Sequence, residues 1–114
     1  MKPKEQSVLL KIKSAEILFS VYPKDILYIE ADGNFCKIKL VDGEIIKVAQ
    51  RLCHYNTLFP QTIFCRIHKS YLLNLNHVKH YDKIDKCAVL VSNEKIPVSK
   101  RKTKDFLSQF FNKN

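Results

Sequence analysis

The sequence predicts a mostly β protein: a compact antiparallel fold of many short strands, with a few short helices and one helix at the C-terminus. Short runs rich in β-branched and aromatic residues recur along the chain, and turn-forming residues separate them. No internal repeat or linker interrupts the 114 residues, a length typical of one domain. A helical period of apolar residues is clearest at the end of the chain.

The first half of the chain contains five predicted strands and one short helix. Asp42-Gly43 is typical of a tight hairpin turn. Leu52, Tyr55 and Leu58 have helical spacing, and Pro60 ends that helix. The strands are predicted over residues 8–13, 16–21, 26–30, 35–40 and 44–48, the helix over 49–58, and turns over 14–15, 22–25 and 31–34.

The second half of the chain also contains several short predicted strands, and it carries more charged residues. Ser92-Asn93-Glu94 predicts a hairpin loop. A final helix is predicted over residues 99–111, because its apolar side chains fall on one helical face. Those side chains are Phe106, Leu107, Phe110 and Phe111. Strands are predicted over residues 63–67, 78–81, 87–91 and 95–98, and a turn or short helical segment over 68–76. Residues 1–7 are interpreted as an N-terminal extension or linker remnant, and residues 8–114 as the folded domain.

The charge is strongly positive and unevenly placed. The net charge is +9, and residues 66–104 hold ten Lys or Arg against three Asp or Glu, a net of +7. Residues 1–65 hold nine against seven, a net of +2. A field of this sign favours anionic partners such as nucleic acid. No apolar run approaches the ~20 residues of a membrane helix, and no signal peptide is recognisable, so we expect a cytoplasmic protein without a membrane partner.

The four cysteines favour free buried thiols over a disulfide framework or a metal site. Each of Cys36, Cys53, Cys65 and Cys87 lies in or beside an apolar run, where a thiol acts as a small hydrophobic group. A zinc site built from Cys53-His54 and Cys65-x-x-His68 is the alternative. It lacks a CxxC pair, and adjacent Cys and His side chains diverge. We therefore expect no metal and no cofactor.

Two basic segments are candidates for binding an anion. Lys100, Arg101 and Lys102 follow Ser99, a good N-cap, so cations occupy the first turn of the predicted helix with Lys104 just behind. Cations are unfavourable there by ~0.3–1 kcal/mol each unless an anion is bound. The second segment, residues 66–71, supplies Arg66, His68 and Lys69 as donors for phosphates or purine edges. The alternatives are a solvated basic surface for the first segment and a structural His68 for the second.

Four segments together closely resemble the LytTR family of DNA-binding domains. Residues 64–78, FCRIHKSYLLNLNHV, resemble the signature F-x-R-I-H-K/R-S-Y-L-V-N-L-N-H-I. Residues 25–35, DILYIEADGNF, resemble D-I-x-Y-I-E-A-x-G-N-Y, and residues 96–101, IPVSKR, resemble I-P-V-S-K/R-R. Leu52, Leu58 and Phe59-Pro60 resemble the short helix before the signature. The match covers roughly residues 8–111 in order and spacing.

The resemblance implies a transcriptional regulator output domain that inserts loops, and no recognition helix, into successive major grooves of promoter DNA. It implies binding as pairs of domains on direct repeats, and a receiver domain or a partner histidine kinase pathway in a two-component system. Lys69 would serve a phosphate or a guanine. The DNA-binding residues that the resemblance implies are Asn34, Phe35, Lys37, Arg66, His68, Lys69, Ser99, Lys100 and Arg101. The basic turn described above adds Lys102 and Lys104 to the candidates.

Two other classes of function remain to be weighed against this prediction. One is a nucleic-acid module, binding RNA or DNA, in which the basic stretch acts only electrostatically and sequence matters little. The other is an enzyme, which the sequence disfavours because no carboxylate pair, activated nucleophile or glycine-rich phosphate loop stands out. Arg101 and Arg66 are the expected readers of guanine, with a structural role as the alternative for Arg66.

Overall fold

The computed structural model describes residues 9–111, and within them the predicted antiparallel, mostly β fold is confirmed. Residues 9–111 also contain two helices and three single 3₁₀ turns. The strands are β1 (Leu10–Lys13), β2 (Leu18–Val21), β3 (Ile26–Asp32), β4 (Phe35–Leu40), β5 (Ile45–Val48), β6 (Phe64–His68), β7 (Tyr71–Asn74), β8 (Val78–Asp82), β9 (Cys87–Leu90) and β10 (Lys95–Pro97). The helices are α1 (Leu52–Leu58) and α2 (Thr103–Phe111), and the 3₁₀ turns are Pro23–Asp25, Leu75–His77 and Lys100–Lys102.

A five-stranded sheet in the order β5-β4-β3-β7-β6 forms the centre of the molecule, and all its pairs are antiparallel. The hairpin of β1 and β2 and the helix α1 pack on one face. Ile12, Ile29, Ile38 and Leu52 belong to the apolar core on that side. The sheet of β8, β9 and β10 packs with α2 on the other face, where Leu73, Leu90 and Phe106 are buried. The central sheet is therefore covered on both sides.

Asn74 is the one polar side chain fully buried within the described residues, and its amide is fully used. Its Nδ2 donates to the carbonyls of Pro23 at 3.1 Å and Ile26 at 2.9 Å. Its Oδ1 accepts the backbone N–H of Asn76 at 2.9 Å. The side chain thus joins the end of β7 to the turn before β3, and every buried polar group there is satisfied.

One predicted element is wrong. Residues 68–76 were expected to form a turn or a short helical segment, but Tyr71–Asn74 is strand β7, between β3 and β6. Leu72 faces one core and Leu73 the other, so the strand is apolar on both sides. A run of this kind has no alternating pattern and cannot be told from a helical segment by period. Only Leu75–His77 is helical, as a single 3₁₀ turn.

Several boundaries also differ from the prediction. The final helix begins at Thr103, and Lys100–Lys102 forms a separate 3₁₀ turn before it. Phe106 is buried and Leu107 and Phe110 pack beside it, but Phe111 is 78% exposed. The strand predicted over residues 8–13 begins at Leu10, and the helix predicted over 49–58 begins at Leu52. The proposed extension, residues 1–7, lies outside the described residues, as do residues 8 and 112–114.

The thiols divide into three buried and one exposed, which corrects the expectation that all four are buried. Cys36, Cys65 and Cys87 are buried, and burial raises the pKa of each thiol. Cys53 is exposed, because α1 turns Leu52 and Tyr55 toward the core and Cys53 away from it. None of the four is in a disulfide, and no cluster of His, Cys, Asp or Glu suited to a metal ion occurs in residues 9–111. No helix in this range is long and apolar enough to cross a membrane.

Candidate nucleic-acid interface

One end of the five-stranded sheet collects the segments that the sequence singled out. Because β3 and β7 are antiparallel, the β3–β4 turn at Gly33-Asn34 and the β6–β7 turn at Lys69-Ser70 lie at the same end. The N–H of Ala31 donates to the carbonyl of Ser70 at 2.8 Å, which continues the pairing to the turns. The residues after β5 leave the sheet at this end too. We call this end the loop edge.

The chain after β10 reaches the loop edge through one backbone hydrogen bond. Ile67 is the extra residue of a β-bulge in β6, and its carbonyl accepts the N–H of Ser99 at 2.9 Å. Ser99 then caps the 3₁₀ turn: its Oγ accepts the N–H of Lys102 at 3.3 Å. Thr103 Oγ1 donates to the Ser99 carbonyl at 2.9 Å. These bonds hold the Lys100–Lys102 turn beside β6.

A basic cleft of about 570 Å³ lies between these two segments. Its walls consist of the end of β6, the β6–β7 turn and the turn that Ser99 caps. It is lined by Arg66, His68, Lys69, Ser99, Arg101 and Lys102. All six are among the DNA-binding residues implied by the sequence, so the fold brings together two segments about 30 positions apart. Lys100 and Lys104 are exposed beside it and do not line it.

No cation of the basic cleft forms an ion pair within residues 9–111, and the carboxylate of Asp105 lines an adjoining recess with Arg66 and Lys102. Four ion pairs occur in this range. The pairs are Lys37–Asp32, Lys39–Glu94, Lys47–Asp32 and Lys95–Asp85. Unpaired cations around a concave surface concentrate the field there and attract an anion.

Arg66 holds the β6–β7 turn in shape. Its Nε donates to the carbonyl of His68 at 2.9 Å, and its Nη2 donates to the carbonyl of Lys69 at 2.7 Å. These are the bonds expected of the structural role considered for Arg66. The remaining guanidinium donors are still available to a ligand, because the side chain is half-buried and lines the basic cleft.

The hydrogen bond between Ser70 and His68 determines which ring nitrogen of His68 is the donor. The backbone N–H of Ser70 donates to Nδ1 of His68 at 3.1 Å. A backbone N–H can only donate, so Nδ1 must be the acceptor and the neutral ring carries its proton on Nε2. The ring also packs edge-on against Tyr71, with centroids 5.7 Å apart. His68 thus presents a positioned N–H donor at the cleft wall.

The β3–β4 hairpin forms a second cluster on the loop edge. Gly33 adopts a φ of 62°, which glycine takes without steric cost, and Asn34 and Phe35 beside it are exposed. Asp32 lies 3.7 Å from the Nζ of Lys37 and 4.0 Å from the Nζ of Lys47. The Nζ of Lys47 also lies 4.8 Å from the centroid of the Phe35 ring. From β4 to β6, three strand spacings, the loop edge spans about 14 Å.

Sequence reasoning missed four polar side chains near this second cluster. Lys13, Ser14, Lys47 and Gln50 line a recess of about 380 Å³ together with Phe35. Lys47 is the cross-strand partner of Lys37, so the strand register would have indicated it. Lys13 comes from the β1–β2 hairpin, and its position near Phe35 depends on packing between two separate sheets, which no local pattern shows.

The sequence is similar to a known domain family and to two bacterial regulatory proteins. The family model of the LytTr DNA-binding domain matches residues 16–110. The chain is 29% identical over 105 residues to the transcriptional regulatory protein NatR of Bacillus subtilis, covering 92% of this chain and 44% of that protein. It is 24% identical over 107 residues to the sensory transduction protein LytT of Enterococcus faecalis, covering 91% and 43%. The chain thus spans less than half the length of these relatives.

A solved structure shows the same fold. It is the LytTr DNA-binding domain of a methyl-accepting/DNA response regulator from Bacillus cereus. The TM-score is 0.78 and the sequence identity 21%, and the match covers 91% of this chain and 97% of that one.

Proposed function

The chain belongs to the LytTR family of DNA-binding domains, and from that premise we propose that it reads the sequence of double-stranded promoter DNA as the output domain of a transcriptional regulator. The observation that carries this proposal is the basic cleft. Six side chains implied by the sequence line it, and its cations have no carboxylate partner among residues 9–111.

Each group at the basic cleft has a distinct chemical capacity. Arg101 is exposed at the cleft, and its guanidinium suits the O6 and N7 acceptors of guanine in a bidentate contact. Lys69 and Lys102 suit phosphates, and Lys69 could also reach a guanine. His68 supplies a single N–H donor. Lys100 and Lys104, exposed next to the cleft, extend the contact along the phosphate backbone.

The second cluster, at the β3–β4 hairpin, provides a second point of contact with DNA. Phe35 is 43% exposed although it is aromatic, the Nζ of Lys47 lies 4.8 Å from its ring centroid, and Lys37 is the cross-strand partner of Lys47. An aromatic side chain next to a lysine fits an apolar contact with a base or sugar supported by phosphate contacts. Asn34, at the tip of the hairpin, can donate to or accept from a base edge. Asp32 reduces the net charge of this cluster, so we assign it a smaller share of the affinity than the basic cleft.

The dimensions suit loops entering the major groove. The described residues measure 41 × 38 × 24 Å, and one helical turn of B-DNA is about 34 Å long. The long directions therefore match about one turn of DNA, whereas the loop edge spans only about 14 Å, so we propose that the two loop clusters contact neighbouring positions on one face of the duplex. A single domain of this size covers a short site, and we propose that two domains bind side by side on direct repeats.

The chain spans 44% and 43% of the length of the two curated relatives, so we propose that it works within a longer protein or pathway. By analogy with the names of those relatives, it would transmit the signal of a two-component system in the bacterial cytoplasm. The signal would come from a receiver domain or a partner histidine kinase pathway. The family is one of DNA-binding domains and not of enzymes.

Selection of bound DNA from a random duplex pool tests this function. We expect a repeated motif containing guanine, bound about 10³-fold or more tightly than a scrambled duplex at one fixed salt concentration. The Arg101→Ala variant serves as the matched control and should lose enrichment at one base position. If the selected pool shows no motif and single-stranded RNA competes equally well, the chain is an electrostatic nucleic-acid module and the proposal is wrong.

A further inference from the structure

A concave apolar surface lies between β8 and the C-terminal half of α2, away from the basic cleft. It encloses about 470 Å³, within the roughly 300–1,000 Å³ of pockets that bind ligands. Its lining consists of the apolar side chains of Tyr81, Leu107, Phe110 and Phe111 together with Lys79, His80 and Lys83. We refer to the two lysines as its rim. We call it the β8–α2 groove.

The side chains beneath the groove are closely packed, whereas Phe111 on its wall is largely exposed. Phe106 is fully buried beneath the groove and stacks on Phe110, with centroids 5.5 Å apart and an interplanar angle of 7°. Tyr81 packs against Phe106 at 5.7 Å. Above this layer, Phe111 is 78% exposed. A single exposed apolar side chain is ordinary, but one that borders an apolar concavity marks an interaction site.

The rim of the groove is positively charged. Lys83 is exposed, and the Nζ of Lys79 donates to the amide oxygen of Asn93 at 2.9 Å, a neutral partner. Neither lysine has an ion-pair partner within residues 9–111. The carboxylate of Asp82, between them in sequence, accepts the N–H groups of Ile84 and Asp85 within its own turn. The rim therefore favours a partner with negative charge.

The groove and the basic cleft lie at opposite ends of α2. The basic turn Lys100–Lys102 is directly before α2, and the groove is formed by the last residues of that helix. Nine helical residues span about 13 Å, so the two surfaces lie at opposite ends of α2. A partner in the groove would therefore not displace DNA from the basic cleft.

From this placement we propose that the β8–α2 groove binds an acidic segment of another protein, which inserts one or two large apolar side chains between Tyr81 and Phe111. Its carboxylates would contact Lys79 and Lys83. A second copy of this chain fits less well, since a net charge of +9 would oppose the positive rim. The groove thus gives a DNA-bound domain a contact for an acidic partner.

Selection from a random peptide library displayed on phage, using the whole chain as bait, tests the proposal. The selected peptides are then measured by fluorescence polarisation with and without duplex DNA. We expect acidic peptides containing aromatic or large aliphatic residues. Their affinity should fall at least about fivefold in Phe111→Ala, as for a residue at an interface hot spot. Peptide affinity should also fall in Lys83→Glu. In the parent chain, peptide affinity should be the same with and without bound DNA.

Two matched variants control for general effects. Leu18 is also 78% exposed, on β2, so Leu18→Ala should leave peptide affinity unchanged. Lys24→Glu changes the net charge as Lys83→Glu does and should also have no effect. DNA affinity should be the same in Phe111→Ala as in the parent chain. Basic or featureless peptides, or equal binding to Phe111→Ala, would overturn the proposal. Self-association abolished by Phe111→Ala would assign the groove to a second copy and also overturn it.

Discussion

The N–H of Ser99 donates to the carbonyl of Ile67 across 2.9 Å, and this bond joins two segments that are more than 30 residues apart. The acceptor is available because the bulge at Ile67 removes its carbonyl from the regular pairing with β7. Side chains from both segments line the basic cleft. Arg66, His68 and Lys69 come from the end of β6 and the turn after it, and Arg101 and Lys102 come from the turn that Ser99 caps.

Replacement of Arg101 should affect the reading of DNA and leave the fold intact. The side chain is exposed and makes no ion pair within residues 9–111, so Arg101→Ala should leave the melting temperature nearly unchanged. Loss of a bidentate contact with guanine costs about 1–3 kcal/mol of discrimination at one base position. The ratio of affinities for a selected and a scrambled duplex measures it.

The Arg101→Lys variant is the control, because it keeps the charge and removes the planar fork. It should bind scrambled DNA as the parent does and still lose discrimination. An unchanged ratio in both variants would mean that this turn only contacts the backbone and that the loops at Asn34 and Lys69 read the bases.

Replacement of Arg66 should reduce both stability and binding. Arg66→Ala leaves the carbonyls of His68 and Lys69 without their donors and releases the turn that carries both side chains. We expect a loss of roughly 1–3 kcal/mol in the free energy of unfolding, together with weaker binding to every duplex. Chemical denaturation and fluorescence anisotropy measure the two effects. Full stability in this variant would argue against the positioning role.

Binding should weaken steeply with salt. Several cations near the basic cleft are free to neutralise phosphates, and each phosphate contact adds about −0.9 to the slope of log K against log salt. Lys102→Ala and Lys104→Ala should each weaken binding to all sequences alike and reduce the slope by about 1. Lys24→Ala, on the turn before β3, is the matched control and should change neither quantity. A flat titration between low and physiological salt would contradict the electrostatic account.

Only one thiol should react in the folded protein. Cys53 is exposed, whereas Cys36, Cys65 and Cys87 are buried and burial raises their thiol pKa values, which lowers the thiolate fraction at neutral pH. Brief alkylation followed by mass spectrometry should give a single adduct, at Cys53, and four adducts after denaturation. Bound zinc at one equivalent, or a disulfide formed without added oxidant, would refute this assignment.

The amide of Asn74 should be essential to the stability of the domain. Asn74→Leu removes the donors to Pro23 and Ile26 and the acceptor for Asn76, leaving backbone groups unsatisfied in a buried site. Each such group costs about 1–3 kcal/mol, so a loss of at least roughly 2 kcal/mol is expected. Asn76→Ala, at an exposed neighbouring position, is the control. Equal urea midpoints for the parent and Asn74→Leu would be inconsistent with this role.

Local patterns determined most of the strands. The hairpin at Asp42-Gly43 forms as predicted, since Gly43 adopts a φ of 96° that glycine tolerates, and β4 alternates buried Cys36, Ile38 and Leu40 with more exposed neighbours. The alternation of apolar and polar residues did not predict β7, because Leu72 and Leu73 face opposite apolar cores. Burial on both sides removes the alternation on which strand prediction depends.

The sequence by itself determined the fold class, the family resemblance and which basic side chains to consider, because period, turn chemistry and charge are properties of neighbours along the chain. Only the tertiary structure decided which of those side chains meet. The Ile67–Ser99 bond and the approach of Lys13 to Phe35 join residues that are far apart in the sequence. Such contacts depend on strand order and on the packing of separate sheets, and sequence spacing does not encode them locally. The exposure of Cys53 and Phe111 was decided in the same way, by the side of each helix that the core left uncovered.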